Sequence, residues 1–449
     1  MMKYSFILVV SAYIFACQHA DGEETTTVSF RSDIAPMLVD NCLACHGPKK
    51  AEGGFRVDTY DELLKPGDSG ESPIAAADQE SELLRRLVSQ DPSERMPAES
   101  DPLTATQIGR FENWISSGGK FDGEKSNLPL ALVIPPVHYA NPPEVYRQSV
   151  PVTAAIFTPD GQEIVSGGYH ELLVWNVMDG KLVRRIPNIG QRVFAMAFFP
   201  NGNKLAVGCG EPGRSGEVRL VNFESGNVDA VLSRINDVVL DLAFRPGTSE
   251  LAIASADSTI HILDVETLQD IRTIASHADW VTAIAWSDDG TRLASASRDK
   301  SAKVYDGATG ELITSFLGHG AAVRGITLLA DNKQVVSVGA DNKLLRWEIE
   351  GGKKVAEVGI GSEGFKLMRR GTNVFVPCAD KRLLRIDLGN NSVSQEFKGH
   401  ADWVLTSCLR ADESKPLPEQ IMASGGFDGE LRIWNLENAS AISHWIAKP

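Results

Sequence analysis

The sequence is poor in basic residues, in cysteine and in long hydrophobic runs. Its 44 lysines and arginines are outnumbered by 59 aspartates and glutamates, which gives a formal net charge of −15. A chain without a basic stripe cannot displace counterions from phosphate, so we expect no nucleic-acid partner. Of the six cysteines, Cys209, Cys378 and Cys408 show no pairing pattern. This excludes a disulfide framework and predicts three small buried hydrophobic side chains.

A hydrophobic run long enough to span a membrane is also missing, and the one apolar stretch lies at the start of the chain. A lysine precedes a short apolar run, so residues 1–16 are typical of a secretory signal peptide. Cys17 follows Ile-Phe-Ala, which resembles the lipobox of bacterial lipoproteins; ordinary cleavage near Ala16 or Ala20 is the alternative. We therefore expect an exported protein, periplasmic or otherwise extracytoplasmic, with a lipid anchor on Cys17 as its membrane contact.

The composition changes along the rest of the chain. Residues 17–27 are polar and indicate a tether, and residues 28–120 form a segment with helical patterning. Residues 121–150 contain five prolines, which favour an extended connector. From 151 to 449, short β-rich runs alternate with Gly, Asp and Asn. The sequence thus predicts a small all-α domain followed by an all-β domain.

Residues 151–449 repeat with a period near 42. One landmark residue closes the third strand of each unit: Trp175, Val221, Leu263, Tyr305, Trp347, Ile386 and Trp434. The intervals are 46, 42, 42, 42, 39 and 48 residues, with a Gly-rich stretch at 209–216 and a polar insert at 411–420 in the two longest. Four short strands per unit at this period predict a seven-bladed β-propeller. Either an outer strand over 441–447 or a latch from 130–137 would close the ring.

Three of the repeats resemble WD repeats, in which a His, a Ser or Thr, an Asp and an aromatic residue form a hydrogen-bonded tetrad within one blade. The matching sets are His277, Ser295, Asp299 and Tyr305; His319, Ser337, Asp341 and Trp347; and His400, Ser424, Asp428 and Trp434. In all three sets the serine precedes the aspartate by four residues, and the aspartate precedes the aromatic residue by six. The resemblance implies a WD-type propeller.

Cys42, Cys45 and His46 form a C-x-x-C-H motif in the helical segment. Thioether attachment of haem needs two thiols at this spacing and a histidine directly after them as the proximal iron ligand. A redox dithiol would not need His46, and a zinc site would need a second ligand pair, which this segment lacks. The motif therefore predicts one covalent haem c per chain.

Met96 is the predicted distal ligand of the iron. It lies 51 residues after Cys45 in a polar loop, where a lone methionine as core filler is less expected. The Met-Pro pair at this distance resembles the distal loop of small cytochromes c, and thioether ligation raises the reduction potential. Met37 lies on the proximal helix and is excluded, while His138 in the connector remains the competing ligand.

Two helices are predicted to pack around the haem. The first covers Asp33 to Val39, with Ser32 or Asp33 as its cap. The second covers Thr104 to Ser116, with Ile108, Phe111 and Ile115 on one face and a glycine pair after its end. We expect Phe30, Ile34 and Leu38 to form the opposing face.

Taken in order, these motifs resemble the planctomycete-type cytochrome c domain. The residues that carry the resemblance are Phe30, Ile34 to Pro36, Cys42 to Gly47, Gly53 to Asp58, Gly67 to Gly70, Ser81 to Leu83, Met96 with Pro97, and Trp114 with Ile115. The resemblance implies haem c bound with His46 proximal and Met96 distal. It implies no substrate.

We expect an electron carrier rather than a catalyst, with the propeller as a scaffold that docks a protein redox partner. One alternative is a periplasmic haem oxidoreductase with a catalytic site on the propeller, by analogy with nitrite reductases whose ring has eight blades. The other alternative is a redox-sensing scaffold. His-Ala-Asp-Trp-Val occurs twice and places Trp280 and Trp403 near one rim, where they either bind the partner or pack between blades.

Overall fold

The computed structural model describes residues 28–48, 50–75, 81–98, 100–200, 202–235, 237–266, 269–410 and 420–449. The predicted signal peptide, the tether over 17–27 and the lipidation candidate Cys17 lie outside these residues, as does most of the polar insert at 411–420. Among the described residues, no helix combines the length and the apolar character that crossing a membrane requires.

The N-terminal domain consists of short helices around one apolar core. Its helical elements are a π-helical turn at Phe30–Ile34, α1 at Ala35–Asn41, α2 at Tyr60–Leu63, α3 at Glu82–Val88, α4 at Ala105–Ser116 and α5 at Leu130–Val133, with a 3-10 turn at Glu52–Gly54. Phe30, Ile34 and Leu38 are fully buried and share one cluster with Phe111 and Trp114. The ring centroids of Phe30 and Trp114 lie 5.3 Å apart, so the two predicted faces form the core.

The ends of these helices follow from local hydrogen bonds. Thr104 Oγ1 accepts a hydrogen bond from Gln107 N at 3.3 Å, while Gln107 Oε1 accepts one from Thr104 N at 2.8 Å, which completes a capping box for α4. The first helical segment begins earlier than predicted. Ser29 is the cap, since its Oγ accepts from Ser32 N at 3.0 Å, and the prediction of Ser32 or Asp33 was wrong. The earlier start brings Phe30 into the core.

The C-terminal domain is a propeller of seven four-stranded sheets, which confirms the predicted fold class. Blade 1 contains β1 Ala155–Phe157, β2 Glu163–Gly167, β3 Glu171–Asn176 and β4 Leu182–Pro187, and blade 2 contains β5 Arg192–Phe198, β6 Lys204–Glu211, β7 Ser215–Asn222 and β8 Val228–Ile235. Blade 3 contains β9 Val239–Phe244, β10 Glu250–Ser255, β11 Ile260–Asp264 and β12 Gln269–Ile274. Blade 4 contains β13 Val281–Trp286, β14 Arg292–Ser297, β15 Ala302–Asp306 and β16 Leu312–Phe316.

The last three blades follow the same plan. Blade 5 contains β17 Val323–Leu328, β18 Gln334–Gly339, β19 Lys343–Glu348 and β20 Lys354–Gly359. Blade 6 contains β21 Met368–Arg370, β22 Asn373–Pro377, β23 Arg382–Asp387 and β24 Ser392–Lys398. Blade 7 contains β25 Val404–Leu409, β26 Ile421–Gly426, β27 Glu430–Asn435 and β28 Ala441–Ile446. In every blade, consecutive strands are antiparallel neighbours. The Gly-rich stretch 209–216 is not a separate insert, because it lengthens β6 and β7 into a long hairpin.

The seven landmark residues share one structural feature. Each lies in the third strand of its blade, next to a bulge where the outer strand carries an extra residue. The pairs that follow the bulges are Trp175 with Leu182, Val221 with Val228, Leu263 with Asp270, Tyr305 with Leu312, Trp347 with Lys354, Ile386 with Val393 and Trp434 with Ala441. A bulge increases the local twist of a sheet, and this irregularity recurs at the same place in all seven blades.

The last blade closes the ring against the first. β28 is the outer strand of blade 7, as one of the two predicted alternatives required, and none of the described residues of 130–137 belongs to a strand of a blade. Val152 N donates to Gly426 O at 3.0 Å, and Ser443 Oγ donates to Val177 O at 3.3 Å. The two blades share an apolar core, so packing rather than strand exchange holds the ring shut.

The connector over 121–150 has two parts with different partners. Its first part contains α5, and Leu130 and Val133 pack into the core of the N-terminal domain. Its second part, from Pro135 onward, lies against blades 1 and 2. There Arg219 Nη2 donates to Val137 O at 2.8 Å, and Arg185 Nη2 donates to Pro143 O at 2.7 Å. A proline-rich backbone has few N–H groups that could donate to its own carbonyl oxygens. Arg219 and Arg185 donate to two of these oxygens instead.

Candidate haem pocket and propeller contacts

The C-x-x-C-H segment is a tight turn that continues from α1. Cys42 N donates to Leu38 O at 3.0 Å, and His46 N donates to Cys42 O at 3.0 Å. The following loop then folds back onto this turn, since Glu52 N donates to Cys45 O at 3.1 Å and Val57 N donates to His46 O at 2.8 Å. The turn places both cysteines and the histidine within one small region that backbone hydrogen bonds fix on two sides.

The imidazole of His46 is oriented by a backbone carbonyl. Its Nδ1 lies 3.3 Å from Phe55 O, and the Phe55 ring stands edge-on at 5.5 Å. A proton on Nδ1 is needed for this bond, and in that tautomer of the neutral imidazole Nε2 carries the lone pair. Among the described residues, Nδ1 is the one ring nitrogen of His46 with a hydrogen-bond partner. Such an outer hydrogen bond is the usual way to orient a metal-binding histidine.

A cavity of about 480 Å³ lies beside this turn. The apolar part of its wall comes from Phe55, Val57, Pro73, Leu83, Leu87 and Met96, and the rest from Cys42, His46, Glu52, Gly53, Gly67, Asp68, Ser69, Glu71, Glu82 and Arg86. The predicted proximal and distal ligands therefore border the same cavity. His138 is exposed and lies outside the lining, on the part of the connector that contacts the propeller, whereas Met37 is buried in the core.

The loop that carries Met96 is tied to α3. Met96 N donates to Arg86 O at 3.0 Å, and Arg85 Nη1 donates to Glu94 Oε2 at 2.8 Å. Glu82 accepts from both arginines, at 2.7 Å from Arg85 Nε and 2.8 Å from Arg86 Nε. These bonds, first the one from Arg85, lower the pKa of Glu82 to about 2. The network fixes the loop at the rim of the cavity.

The two motif cysteines are free thiols in different surroundings. Burial, with a smaller contribution from the charge of Cys45, raises the pKa of the Cys42 thiol to about 12. Lys50 Nζ lies 3.9 Å from Cys45 Sγ, on the outer side of the turn, and Cys45 is outside the cavity lining. A mostly apolar cavity bordered by a thiol, an oriented imidazole and a thioether fits a covalently attached haem, which Cys42 and Cys45 would anchor and His46 and Met96 would ligate.

The two predicted rim tryptophans lie on different blades and have different neighbours. Trp280 on blade 4 is half-buried, with the Arg298 guanidinium 4.2 Å above its ring. Trp403 on blade 7 is 46% exposed and lies 6.1 Å from the ring of Phe427, which is 51% exposed. Phe365, 6.2 Å from Trp403, extends this patch toward blade 6. Sequence reasoning missed Phe427 and Phe365, because blades 4 and 5 have Arg298 and Ala340 at the position of Phe427, and no repeated motif marks Phe365.

Two of the three predicted tetrads are complete. His277 Nδ1 lies 2.9 Å from Asp299 Oδ2 and its Nε2 lies 2.7 Å from Ser295 Oγ. The tetrad of His319 repeats these distances at 3.0 and 2.8 Å.

The third tetrad departs from the pattern. His400 Nε2 bonds to Ser424 Oγ at 2.6 Å, but Nδ1 has no hydrogen-bond partner in the described part of the chain. The contact predicted with Asp428 is therefore not a hydrogen bond, and Glu430 Oε2 lies at 3.4 Å instead. The signal in the sequence was a glutamate two residues after the aspartate, where blade 4 has Ser301.

Buried polar groups join the connector to the propeller, and sequence reasoning missed them. Arg219 is fully buried and bonds to Glu217 Oε2 at 2.7 Å, with its guanidinium 4.5 Å above the Tyr139 ring. Tyr146 OH donates to the buried Glu171, which also bonds to Arg185 at 2.7 Å. The connector is thus held against blades 1 and 2 by charge-assisted hydrogen bonds.

Comparison with known families supports both halves of the chain. Residues 42–100 match the planctomycete cytochrome C family, a range that begins at Cys42 and includes Met96. Residues 268–306, 310–348 and 391–435 match the WD domain, G-beta repeat. These three ranges contain the landmark residues of the three blades with tetrads.

Curated relatives resemble part of the chain at low identity. The WD repeat-containing protein WDS homolog of Arabidopsis thaliana is 27% identical over 143 residues, which is 31% of this chain and 27% of the relative. The WD repeat-containing protein SL1-17 of Schistosoma mansoni is 28% identical over 120 residues, which is 27% of this chain and 38% of the relative. The Periodic tryptophan protein 2 homolog of Neurospora crassa is 27% identical over 109 residues, covering 24% of this chain and 12% of the relative. The chain thus spans less than two fifths of the length of these relatives.

Proposed function

We propose that this chain, in which a planctomycete-type cytochrome c domain precedes a seven-bladed WD-repeat propeller, is an exported one-haem electron carrier. In this proposal Cys42 and Cys45 hold the haem covalently, His46 is the proximal ligand and Met96 is the distal ligand. The propeller binds the protein redox partner. The supporting observation is that Cys42, His46 and Met96 border one cavity of about 480 Å³.

The chain's own residues determine how such a carrier works. A bound haem supplies the one-electron couple. His46, with Nδ1 held by the Phe55 carbonyl, offers a neutral Nε2 with a fixed orientation. Met96 offers a neutral sulfur, which favours the reduced state and raises the potential. The apolar wall that includes Phe55, Val57 and Leu83 excludes water from the site and has the same effect.

The propeller's part in the proposal is docking. The patch of the exposed Trp403 and Phe427 with the half-buried Phe365 has the aromatic character typical of protein-binding hot spots. Trp280 is the weaker candidate, because Arg298 covers its ring. We expect the Trp403→Ala variant to capture less of the redox partner from an extracytoplasmic extract than the Trp280→Ala variant does. Equal capture by these two variants and the unaltered chain would remove docking at this patch from the proposal.

Spectroscopy with redox titration of the holoprotein tests the ligands. The unaltered protein should show c-type absorbance bands, one haem per chain and a reversible one-electron couple. Met96→Ala should abolish the weak far-red sulfur-to-iron band and lower the potential by roughly 0.1 V, within the range of about 0.8 V that axial ligands span. Met37→Leu and His138→Ala are the matched controls and should change neither property. An unchanged band in Met96→Ala would exclude Met96. A band missing from the unaltered protein, together with a potential that changes in His138→Ala and not in Met96→Ala, would assign the role to His138.

Export and anchoring have their own test. If residues 1–16 are removed and Cys17 is acylated, the mature protein should be found in the membrane fraction and take up labelled fatty acid. Cys17→Ser should move it to the soluble extracytoplasmic fraction. Uptake of label by the Cys17→Ser variant would contradict the anchor.

A further inference from the structure

The histidine of the blade 7 tetrad has a polar atom that the blade leaves unused. His400 is 6% exposed, and its Nε2 is bonded to Ser424, which in turn accepts from Trp434 Nε1 at 2.7 Å. Its Nδ1 is buried and has no hydrogen-bond partner among the described residues. An unsatisfied buried nitrogen is costly, so its position calls for a partner. The equivalent Nδ1 of His277 is bonded to Asp299 at 2.9 Å.

Two carboxylates surround this nitrogen. Glu430 Oε2 lies 3.4 Å from His400 Nδ1, and ligand atoms of His400, Asp428 and Glu430 all lie within 4.8 Å of one another. In blade 4 the place of Glu430 belongs to Ser301, whose hydroxyl lies 3.2 Å from His277 Nδ1. Blade 7 has thus exchanged a neutral hydroxyl for a second buried carboxylate beside the histidine.

We propose that His400 Nδ1, Asp428 and Glu430 bind a divalent transition metal ion, with zinc as the best match. Imidazole and carboxylate ligands together suit zinc, and three protein ligands at close range are a common set for it. An ion at this point would satisfy the orphaned nitrogen of His400. The site lies on the propeller and does not depend on haem binding.

The neighbouring charges permit a cation. Arg432 Nε donates to Glu430 Oε2 at 2.7 Å, and His444 Nδ1 lies 3.0 Å from Glu430 Oε1. A carboxylate oxygen can accept more than one partner, so these bonds leave lone pairs on Glu430 for a metal. Two carboxylates and one guanidinium give the group a net charge of −1 when both histidines are neutral. His444 is not one of the three proposed ligands, and its contact with Glu430 Oε1 would orient that carboxylate toward the metal.

The free nitrogen of His400 is the one that can face an ion. Nε2 is bonded to Ser424 Oγ at 2.6 Å, so Nδ1 is the ring atom left for a metal. Metal binding requires a neutral imidazole, so zinc binding is expected to weaken at acidic pH.

Zinc affinity of the purified full-length protein tests the proposal. Zinc bound per chain is measured by competition with a chromogenic chelator and by elemental analysis after dialysis. Asp428→Asn should weaken binding at least about 100-fold and His444→Ala about 10-fold, because outer partners of metal ligands contribute less than the ligands. Asp299→Asn is the matched control, since it alters the same tetrad position in blade 4, and it should leave zinc binding unchanged. Zinc should raise the melting temperature of the unaltered chain, and a chelator should reverse the rise.

Two measures keep the test decisive. The measurements are repeated in a background with Cys42→Ser and Cys45→Ser, so that zinc on the haem-motif thiols is not counted. If Asp428→Asn fails to fold, Glu430→Gln replaces it, with the circular dichroism of the unaltered chain as the criterion of folding. The proposal is overturned if the unaltered chain retains no zinc, or if folded Asp428→Asn or Glu430→Gln binds it as tightly as the unaltered chain.

Discussion

The histidines of the two domains are used in opposite ways. In the propeller, His277 and His319 have both ring nitrogens bonded within their tetrads. In the N-terminal domain, His46 has Nδ1 bonded to the Phe55 carbonyl, and the ring borders an apolar cavity. His277 and His319 therefore complete the hydrogen bonding of their blades, whereas Nδ1 is the one bonded ring nitrogen of His46 among the described residues.

This difference holds for these three histidines and is not a general rule, since His170 in the propeller also has Nδ1 bonded to a backbone carbonyl, at 3.1 Å from Ile189 O. The surroundings of each ring set the number of bonded nitrogens. His400 illustrates the point, since its tetrad matches the sequence pattern while its Nδ1 is unpaired among the described residues. Variants of the two domains should therefore differ in what they lose: bound haem in the N-terminal domain and stability in the propeller.

The largest expected effect is the loss of covalent haem, which should depend on the cysteines of the N-terminal domain and not on those of the propeller. Replacing both motif cysteines, in Cys42→Ser with Cys45→Ser, should abolish covalent haem, because the thioether bonds have no other thiols nearby in the motif. Haem staining of the denatured chain measures this. Cys408→Ala, in the propeller core, is the control and should keep the stain. A stained double variant would show that haem is attached to residues other than Cys42 and Cys45.

A large effect is expected where the connector joins the two domains. Arg219→Met removes the buried cation that bonds to Glu217 and to the Val137 carbonyl. Since a buried charge loses its partner, stability should fall by about 3 kcal/mol, measured by denaturant unfolding. Cleavage of the connector over 135–150 by protease should also become faster. Arg184→Met, an arginine that bonds to Glu224 O near the surface, is the control and should change neither.

A moderate effect should be confined to the propeller. Asp299→Asn removes the carboxylate that accepts from His277 Nδ1, and we expect a loss of about 2 kcal/mol in propeller stability. Thermal unfolding measures the loss, and the haem absorbance of the folded protein should stay unchanged. A shifted haem spectrum in this variant would mean that the two domains are not independent in the way the comparison assumes.

The smallest effect is a dependence on pH. Burial lowers the pKa of His277 and of His319, so the unfolded chain binds protons that the folded chain rejects. Stability contributed by these groups is complete above the unfolded pKa of about 6.5 and is lost as pH falls toward the lower folded values. We expect the free energy of unfolding to fall as the pH is lowered from about 6.5, with a contribution from each histidine. His277→Gln should reduce the slope of unfolding free energy against pH, and an unchanged slope would contradict this origin.

The features that were predicted from sequence are those fixed by local pattern. The seven landmark residues identified the third strands, since each blade repeats the same alternation and the same bulge. The core face of α4 follows from spacing along one helix, whereas its capping box of Thr104 and Gln107, although local, was not predicted. The C-x-x-C-H motif is local as well, and the turn that presents it continues directly from α1.

The features that were missed depend on distant parts of the chain. Tyr139 approaches Glu217, which lies 78 residues away, and no local signal in the connector announces that contact. The contact of Trp403 with Phe365 joins two blades. The orphaned Nδ1 of His400 depends on where Asp428 and Glu430 lie in space, although Asp428 has the same spacing to Ser424 and Trp434 as the aspartates of the complete tetrads. Such details are set by packing between elements rather than by pattern within them.

The most direct test of haem attachment is the mass of the tryptic peptide that covers residues 32–49 in the protein purified from its exporting host. This peptide should carry one haem, bound through both Cys42 and Cys45. An unmodified peptide from a protein that had been exported and folded would contradict this attachment.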